Sequence, residues 1–392
     1  MKKMLFLLLL TFLLAEAQSE HGKISGRIID EQTKQPIENV NIYIANSLIG
    51  TSTNRAGIFQ FPKIPPGRYT IIFSHISYLN HTEKIEILAN RNINLNINLE
   101  PKPIEFPEVD VVDKYDDEWE NNFEIFRDGL LGKTDFAEGC RILNPYSVSF
   151  KKDENNILYA LTSEPLKIIN ESLGYEITYF LKHFESRFYD VLFSGQPYFE
   201  ELPDASSEKR KAWENNRLKA YMGSLRHFLR ALSKSYKLQK EGKDTVKLIV
   251  DYGDVTREGG KYYYDDKMFL SKQGFGADLI EPIPNVFMKK FMLHPLIPDS
   301  VIVESENPNE LYLVTDKQIY ISYDKEYDDL TYEPQISRLI LHSDSVYFDK
   351  MGRYHDEFMI QTLGQMAKQR LAEMLPFEYQ PSDSVLINTD FR

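Results

Sequence analysis

The sequence predicts a two-part fold, an all-β sandwich followed by a larger α+β domain with an antiparallel sheet and two or three packed helices, on three observations. Over residues 22–101, apolar and polar residues alternate at period two, Gly, Pro, Asn and Asp punctuate the runs, and no stretch of helical period intervenes. Pro101, Pro103 and Pro107 then stiffen a connector, placed at 102–112. From 113 to 392, alternating runs are interleaved with segments whose apolar residues recur at three- and four-residue steps.

Before the sandwich, Lys2 and Lys3 precede an apolar run from Met4 to Leu14, and Ala15-Glu16-Ala17 completes an A-x-A pattern. The run is too short to span a bilayer, so residues 1–17 read as a cleavable signal peptide and the chain as exported, to the periplasm or to the outer membrane and cell surface. The single cysteine, Cys140, allows no intrachain disulfide and argues against a lipid-anchored cysteine at the cleavage site. A formal net charge of −13 makes nucleic acid a poor partner. The aromatic content, 24 Tyr and 24 Phe, suits strand positions in packed cores.

Within the sandwich, Ile24, Gly26, Ile28 and Asp30 form the first alternating strand, and residues 31–36 turn the chain into Val40, Ile42 and Ile44. Gly57 supplies a turn with positive φ before Phe59 and Phe61. Pro65-Pro66-Gly67 makes a rigid turn before Tyr69, Ile71 and Phe73, and Phe59 and Tyr69 are expected to face inward. Ile85, Ile87, Ile93, Leu95, Ile97 and Leu99 close the set.

The ordered residues Gly26-Arg27-Ile28-Ile29-Asp30, Thr33, Pro36-Ile37, Val40, Gly50-Thr51-Ser52-Thr53-Asn54-Arg55-Ala56-Gly57-Ile58-Phe59, Pro66-Gly67-Arg68-Tyr69 and Ser74-His75-Ile76-Ser77-Tyr78 resemble the carboxypeptidase regulatory-like domain. That resemblance implies a transthyretin-like or Ig-like accessory sandwich without catalytic activity, of the kind attached to metallocarboxypeptidases and to envelope proteins and outer-membrane transporters of Gram-negative bacteria. Two of these associations fail on the remaining residues. None of the eight histidines has Glu three positions later, so the zinc pair of a metallocarboxypeptidase is absent. Fewer than 300 residues follow the sandwich, too few for a transporter barrel of about 22 strands with its plug. His75 and His81, six residues apart, match no ligand spacing, and no metal or other cofactor is expected.

In the larger region, Asp116-Asp117-Glu118 precede Trp119, Phe123, Phe126 and Leu130 at helical spacing, with Gly132 as terminator. The carboxylates complement the dipole of that helix and need no catalytic or calcium-binding role. Strands are expected around Ile157–Leu161, 165–169, 177–181 and 188–193, with a turn at Gly174. Asn144-Pro145, Glu164-Pro165-Leu166 and residues 173–179 resemble a region that follows the same sandwich in other exported Gram-negative proteins of unassigned function. This resemblance brings no mechanism.

Residues 207–241 read as one helix, capped by Ser206 or Ser207 and ended by Gly242, with Leu218, Tyr221, Met222, Leu225, Leu229, Leu232 and Tyr236 as its apolar stripe. From Glu208 to Lys243, eleven Lys or Arg stand against three Glu. Arg226, Arg230, Lys234 and Lys237 on this basic face are the candidate partner-binding residues. Further strands are expected at 246–250, 262–270, 301–303, 311–313, 319–321, 336–341 and 346–348. A closing helix is expected to carry Met359, Leu363, Met366, Ala367, Leu371 and Met374. The acidic run Asp324, Glu326, Asp328, Asp329 and Glu333 reads as a solvated loop.

The catalytic motifs H-E-x-x-H, G-x-S-x-G and the Walker phosphate loop do not occur, and the S-x-x-K at Ser206 to Lys209 reads as a helix cap. The leading reading is a non-catalytic exported cell-envelope protein that binds a glycan or a protein partner. Two alternatives remain open at this level: a hydrolase of cell-wall or imported polymer using a carboxylate pair brought together in three dimensions, and peripheral attachment to an anionic membrane surface through the basic helix.

Overall fold

The computed structural model describes residues 21–103, 116–187, 190–203, 206–243, 249–250, 262–263, 275–280, 293–327, 334–354 and 358–389. The leader at 1–17, most of the connector at 102–112, and Val246, Leu248, Asp328, Asp329 and Glu333 lie outside these residues. The chain forms two compact units, Met1–Ala45 with Ile49–Val109 and Asn46–Leu48 with Asp110–Arg392.

Unit 1 is a β-sandwich of seven described strands, β1 Gly22–Asp30, β2 Asn41–Ile44, β3 Gly50–Ser52, β4 Ile58–Ile64, β5 Gly67–Ser74, β6 His81–Ile87 and β7 Asn92–Leu99. One sheet has the order β4-β1-β7 and the other β3-β2-β5-β6. Period-two sequence becomes a two-faced sheet because successive side chains point to opposite sides. Ile24 and Ile28 of β1, Phe59 and Phe61 of β4, and Tyr69 and Phe73 of β5 all enter one buried core. The pairing is antiparallel except between β1 and β7, which run parallel in register from Lys23 opposite Asn92 to Asp30 opposite Leu99.

The residues carrying the family resemblance are those that build the turns. Asn54 Oδ1 accepts from the amides of Ala56 (2.9 Å) and Ile58 (3.1 Å), and Gly57 closes that turn at φ +71°. A Cβ at Gly57 would lie 2.4 Å from the Ile28 carbonyl oxygen, so the position excludes other residues by both conformation and space. Tyr69 keeps its ring in the core and donates its hydroxyl to the Pro65 carbonyl (2.9 Å), fixing the Pro65-Pro66-Gly67 turn. Asp30, buried at the end of β1, accepts from Gln32 N (2.8 Å) and Thr33 N (2.7 Å) through Oδ1 and from the Tyr78 hydroxyl (2.8 Å) through Oδ2.

Unit 2 holds a six-stranded sheet from β8 Cys140–Ile142, β9 Val148–Lys152, β10 Leu158–Thr162, β11 Leu166–Asn170, β12 Tyr175–Arg187 and β13 Asp190–Glu201. β12 is its spine: β13 pairs along its length on one edge, while β11 and then β10 share the other. The helix Asp117–Leu131 buries Phe126 and Leu130 in the core it shares with this sheet. Its start is capped by Asp116, whose Oδ1 accepts from Trp119 N at 2.9 Å, and its end falls at Gly132.

The remaining strands are β14 Ile249–Val250, β15 Tyr262–Tyr263, β16 Phe275–Ile280, β17 Leu293–Pro295, β18 Ile302–Glu304, β19 Glu310–Leu313, β20 Gln318–Tyr327, β21 Pro334–Leu341, β22 Val346–Asp349 and β23 Ile360–Gly364. They form a two-stranded pair β14-β15, a five-stranded sheet β17-β16-β20-β21-β23 and a three-stranded sheet β18-β19-β22, all antiparallel.

Four expectations change. The helix expected over 207–241 is two helices, Ser207–Tyr221 and Leu225–Lys240, because Gly223 adopts φ +73° and Ser224 caps the second by accepting from His227 N. The apolar stripe survives the break: Tyr221, Met222, Leu225, Leu229, Leu232 and Tyr236 are all buried in one core with strands of the second half. Full burial of side chains such as Phe228, Leu229 and Leu232 stabilises by about 1.5–3 kcal/mol each. The closing helix is mostly absent, because residues 360–364 pair with β21 as a strand. Only the short turns Gln365–Lys368 and Leu371–Glu373 are helical. Asp324 and Glu326 belong to β20 and not to a loop, and Val301 ends a short helix, Pro298–Val301, ahead of β18.

The turn at Asp30 generates a pH-dependent stability. The Thr33 amide first, then the Tyr78 hydroxyl, hold the Asp30 carboxyl below its ordinary value by favouring the ionised form. A depressed carboxylate stabilises the fold above the unfolded-state value of about 4 and loses that contribution as pH falls through the lower folded value. Asp30→Asn is therefore expected to lower the unfolding midpoint at pH 7, with the difference from wild type shrinking as the pH falls below the unfolded-state value of about 4. Urea titrations followed by circular dichroism across that range measure it.

Candidate functional site

The structure places Arg226, Arg230 and Lys234 against the chain's own C-terminal segment, so they do not form the free basic stripe expected of a partner-binding face. Arg226 donates from Nη1 to the carbonyls of Leu375 (3.3 Å) and Pro376 (2.9 Å), and from Nη2 to those of Phe377 (2.9 Å) and Tyr379 (2.6 Å). Its burial lowers the guanidinium pKa. Arg230 donates to Pro381 O (2.8 Å) and pairs with Asp383 (3.0 Å), which also binds Lys234. Lys237 is exposed. A planar cation with five donors suits carbonyl groups that no strand partner satisfies, and this explains arginine at 226.

The first helix of the pair is also anchored internally. Trp213 Nε1 donates to Glu171 O (2.7 Å), Asn216 to Ser172 O (2.8 Å) and Arg217 Nε to Leu173 O (2.8 Å), while the Arg217 guanidinium lies 4.0 Å above the Tyr175 ring. The segment around Leu173-Gly174-Tyr175, part of the second sequence resemblance, is thus the seat of that helix. Ser206 is its cap, accepting from Lys209 N at 3.2 Å.

A different surface of unit 2 carries open polar and aromatic groups. Arg141, Leu143, Asn144, Tyr146, Ser163 and Glu164 line an open depression of about 660 Å³ at one end of the six-stranded sheet. Asn144 and Glu164, both in the resemblance to proteins of unassigned function, build its floor. Asn144 Nδ2 donates to Glu164 Oε1 and Pro165 O, each at 3.0 Å, and Asn144 Oδ1 accepts from Lys167 N at 2.8 Å. The aromatic wall rests on Trp119, whose indole donates to Val148 O (3.1 Å) and stacks on Phe123, with ring centroids 5.0 Å apart and planes within 10°. Tyr146 also packs on Trp119, with ring centroids 5.4 Å apart, and is 63% exposed. Leu143 adds an exposed apolar group.

The depression therefore presents an aromatic ring whose orientation is set by an anchored tryptophan, beside the Arg141 guanidinium, the Ser163 hydroxyl and the Glu164 carboxylate. One aromatic face with a few convergent polar groups is the usual make-up of a small-ligand site. Sequence reading reached Asn144 and Glu164 through resemblance but missed Arg141, Leu143, Tyr146 and Ser163. The only signal was the recurrence of x-Pro pairs at 144–145 and 164–165.

The other singled-out side chains have structural partners. Burial pushes the Cys140 thiol up to about 12, and its Sγ lies 3.5 Å from Phe136 O. His75 Nδ1 accepts from Ser77 N at 3.2 Å, and His81 pairs with Glu83 at 2.8 Å. Among the described residues, no helix is long and apolar enough to cross a membrane, and no group of three His, Cys, Asp or Glu is placed to hold a metal ion.

Comparison with known proteins agrees with the sandwich in unit 1. Residues 24–111 match the family model of the CarboxypepD_reg-like domain. Over 93 residues, 22% of this chain, the sequence is 29% identical to the TonB-dependent transporter Oar of Myxococcus xanthus, and the chain spans 9% of that protein's length. Among solved structures, the pilus 2b backbone protein of group B streptococcus is similar over 21% of this chain and 42% of that one, with 16% identity and a TM-score of 0.19. The 5-hydroxyisourate hydrolase of Klebsiella pneumoniae is similar over 21% of this chain and 91% of that one, with 18% identity and a TM-score of 0.18. The fold assignment rests on the strand order given above.

Removing the Arg226 guanidinium is expected to take the donor from the Leu375 and Tyr379 carbonyls, while Pro376 O keeps the Tyr379 amide and Phe377 O keeps Gln380 Nε2. Arg226→Ala should cost about 3 kcal/mol or more and speed chymotryptic cleavage at Phe377 or Tyr379. Lys237→Ala, at an exposed position, should stay within about 0.5 kcal/mol of wild type. Urea unfolding and limited proteolysis of the same three proteins make the comparison.

Proposed function

We propose that this chain is a non-catalytic protein of the cell envelope that binds a glycan in the depression lined by Arg141, Leu143, Asn144, Tyr146, Ser163 and Glu164. The observation that carries the reading is Tyr146, a largely exposed ring held in place by Trp119 above fixed hydrogen-bonding groups. An aromatic ring packs on the C–H face of a sugar, while amide, hydroxyl and charged side chains meet its hydroxyl groups; holding the ring in advance lowers the entropy cost of binding. Placement in the envelope is supported by the leader-like residues 1–17 and by the similarity of unit 1 to part of a TonB-dependent transporter.

The hydrolase alternative receives less support from this site. Among the described residues, Glu164 is the one carboxylate lining the depression, and its Oε1 already accepts from Asn144. A glycosidase of the usual kind places two carboxyl groups about 5–9.5 Å apart across the scissile bond.

Trp119 makes the proposal testable by fluorescence, since it touches Tyr146 and the chain has only one other tryptophan, Trp213. Titration with oligosaccharides released from envelope polymers is expected to shift the emission saturably. Tyr146→Ala should weaken binding by roughly tenfold, and Arg141→Ala should weaken it as well. An affinity unchanged in both variants would remove the depression from consideration.

A further inference from the structure

Unit 1 carries a second surface, independent of the depression and of the reading given for it. The strand β7 has the sequence Asn-Ile-Asn-Leu-Asn-Ile-Asn-Leu, so every outward position is an asparagine: Asn92, Asn94, Asn96 and Asn98 are all exposed while Ile97 and Leu99 are buried. The four amides make no hydrogen bond among the described residues. Asparagine is a poor strand former, and a strand that needed only a wet outer face would be better served by threonine or a charged residue.

Register extends this row into a grid. Parallel pairing sets Lys23, Ser25, Arg27 and Ile29 of β1 beside Asn92, Asn94, Asn96 and Asn98, and antiparallel pairing sets Gln60 beside Ser25 and Ile58 beside Arg27. Rows recur about every 6.7 Å along the strands and about 4.8 Å across them, so the asparagines span about 20 Å. None of these outward residues is a carboxylate, although the chain has 59 Asp and Glu against 46 Lys and Arg. The face is dense in neutral donors and acceptors, with Ile58, 50% exposed, as an apolar element beside Arg27.

We propose that the outer face of the β4-β1-β7 sheet binds a neutral, hydroxyl-rich polysaccharide laid along β7. Each asparagine amide offers two donors and one acceptor, matching sugar hydroxyls that both give and receive hydrogen bonds. A polymer repeats those hydroxyls, so several weak contacts at fixed spacing add along one chain. Because the recognition is between uncharged groups, it is insensitive to salt, unlike capture of an anionic polymer by Lys23 and Arg27.

Affinity electrophoresis of the full chain through gels containing a neutral β-glucan or an anionic polyuronate tests this directly. Retardation is expected in the neutral gel and should persist in about 0.5 M salt, where the Debye length is only a few ångström. The double variant Asn94→Ala/Asn96→Ala should bind roughly tenfold more weakly with an unchanged thermal midpoint. Thr82→Ala, on β6 of the other sheet, should be retarded like wild type. The proposal is overturned by absence of retardation in the neutral gel, by retardation confined to the polyuronate and abolished by salt, or by equal retardation of wild type and the double variant. Loss of retardation in Tyr146→Ala with the asparagine variant unaffected would move the binding to the depression and equally overturn it.

Discussion

Burial of the apolar stripe that runs from Tyr221 to Tyr236 is the constraint on which the second half of unit 2 depends. Phe228, Leu229 and Leu232 are wholly withdrawn from water, and Phe228 meets Phe275 of β16 edge-on at 5.4 Å. Water offers no comparable environment for so many apolar groups on one helix, so the strands assemble around it. The break at Gly223 is what lets a single stripe serve two helices. The first is seated on the turn between β11 and β12 through Trp213, Asn216 and Arg217, and the second is held to residues 375–383 through Arg226 and Arg230.

The charge arithmetic of the same segment follows from that arrangement. Eleven cations in an acidic protein invite an external reading, yet the central ones are consumed by carbonyls and by Asp383. The C-terminal segment has few strand neighbours to satisfy its backbone, and a buried carbonyl without a donor costs more than a solvated arginine gains by staying in water. Among the described residues, the ring of Tyr146 against Trp119 and the asparagine side chains of β7 stay exposed to solvent.

Much of the secondary structure was legible because it reflects local chemistry. Acidic residues ahead of an amphipathic run opened the helix at Asp117, Ser206 capped the next, Gly57 made its positive-φ turn, and Phe59 and Tyr69 faced inward. The misreadings share one cause. Met359, Leu363 and Met366 fit a helical period, but residues 360–364 were taken by the open edge of β21, a partner some twenty residues distant. A helical period also hid the break at Gly223, where one glycine and one serine reset the chain. Of the depression, Asn144 and Glu164 were visible as x-Pro pairs and Tyr146 was not, since the exposure of one tyrosine among 24 depends on neighbours remote in sequence.

The sequence by itself determined the period-two strands, the caps and the turns, because each is decided by residues within a few positions of one another. Tertiary structure alone decided which cations remain exposed, which apolar segment becomes an edge strand, and which aromatic ring stands in solvent. Those outcomes are settled by burial and by the hydrogen-bonding demands of groups that meet only once the sheets have formed, as when the carbonyls of residues 375–379 claim Arg226.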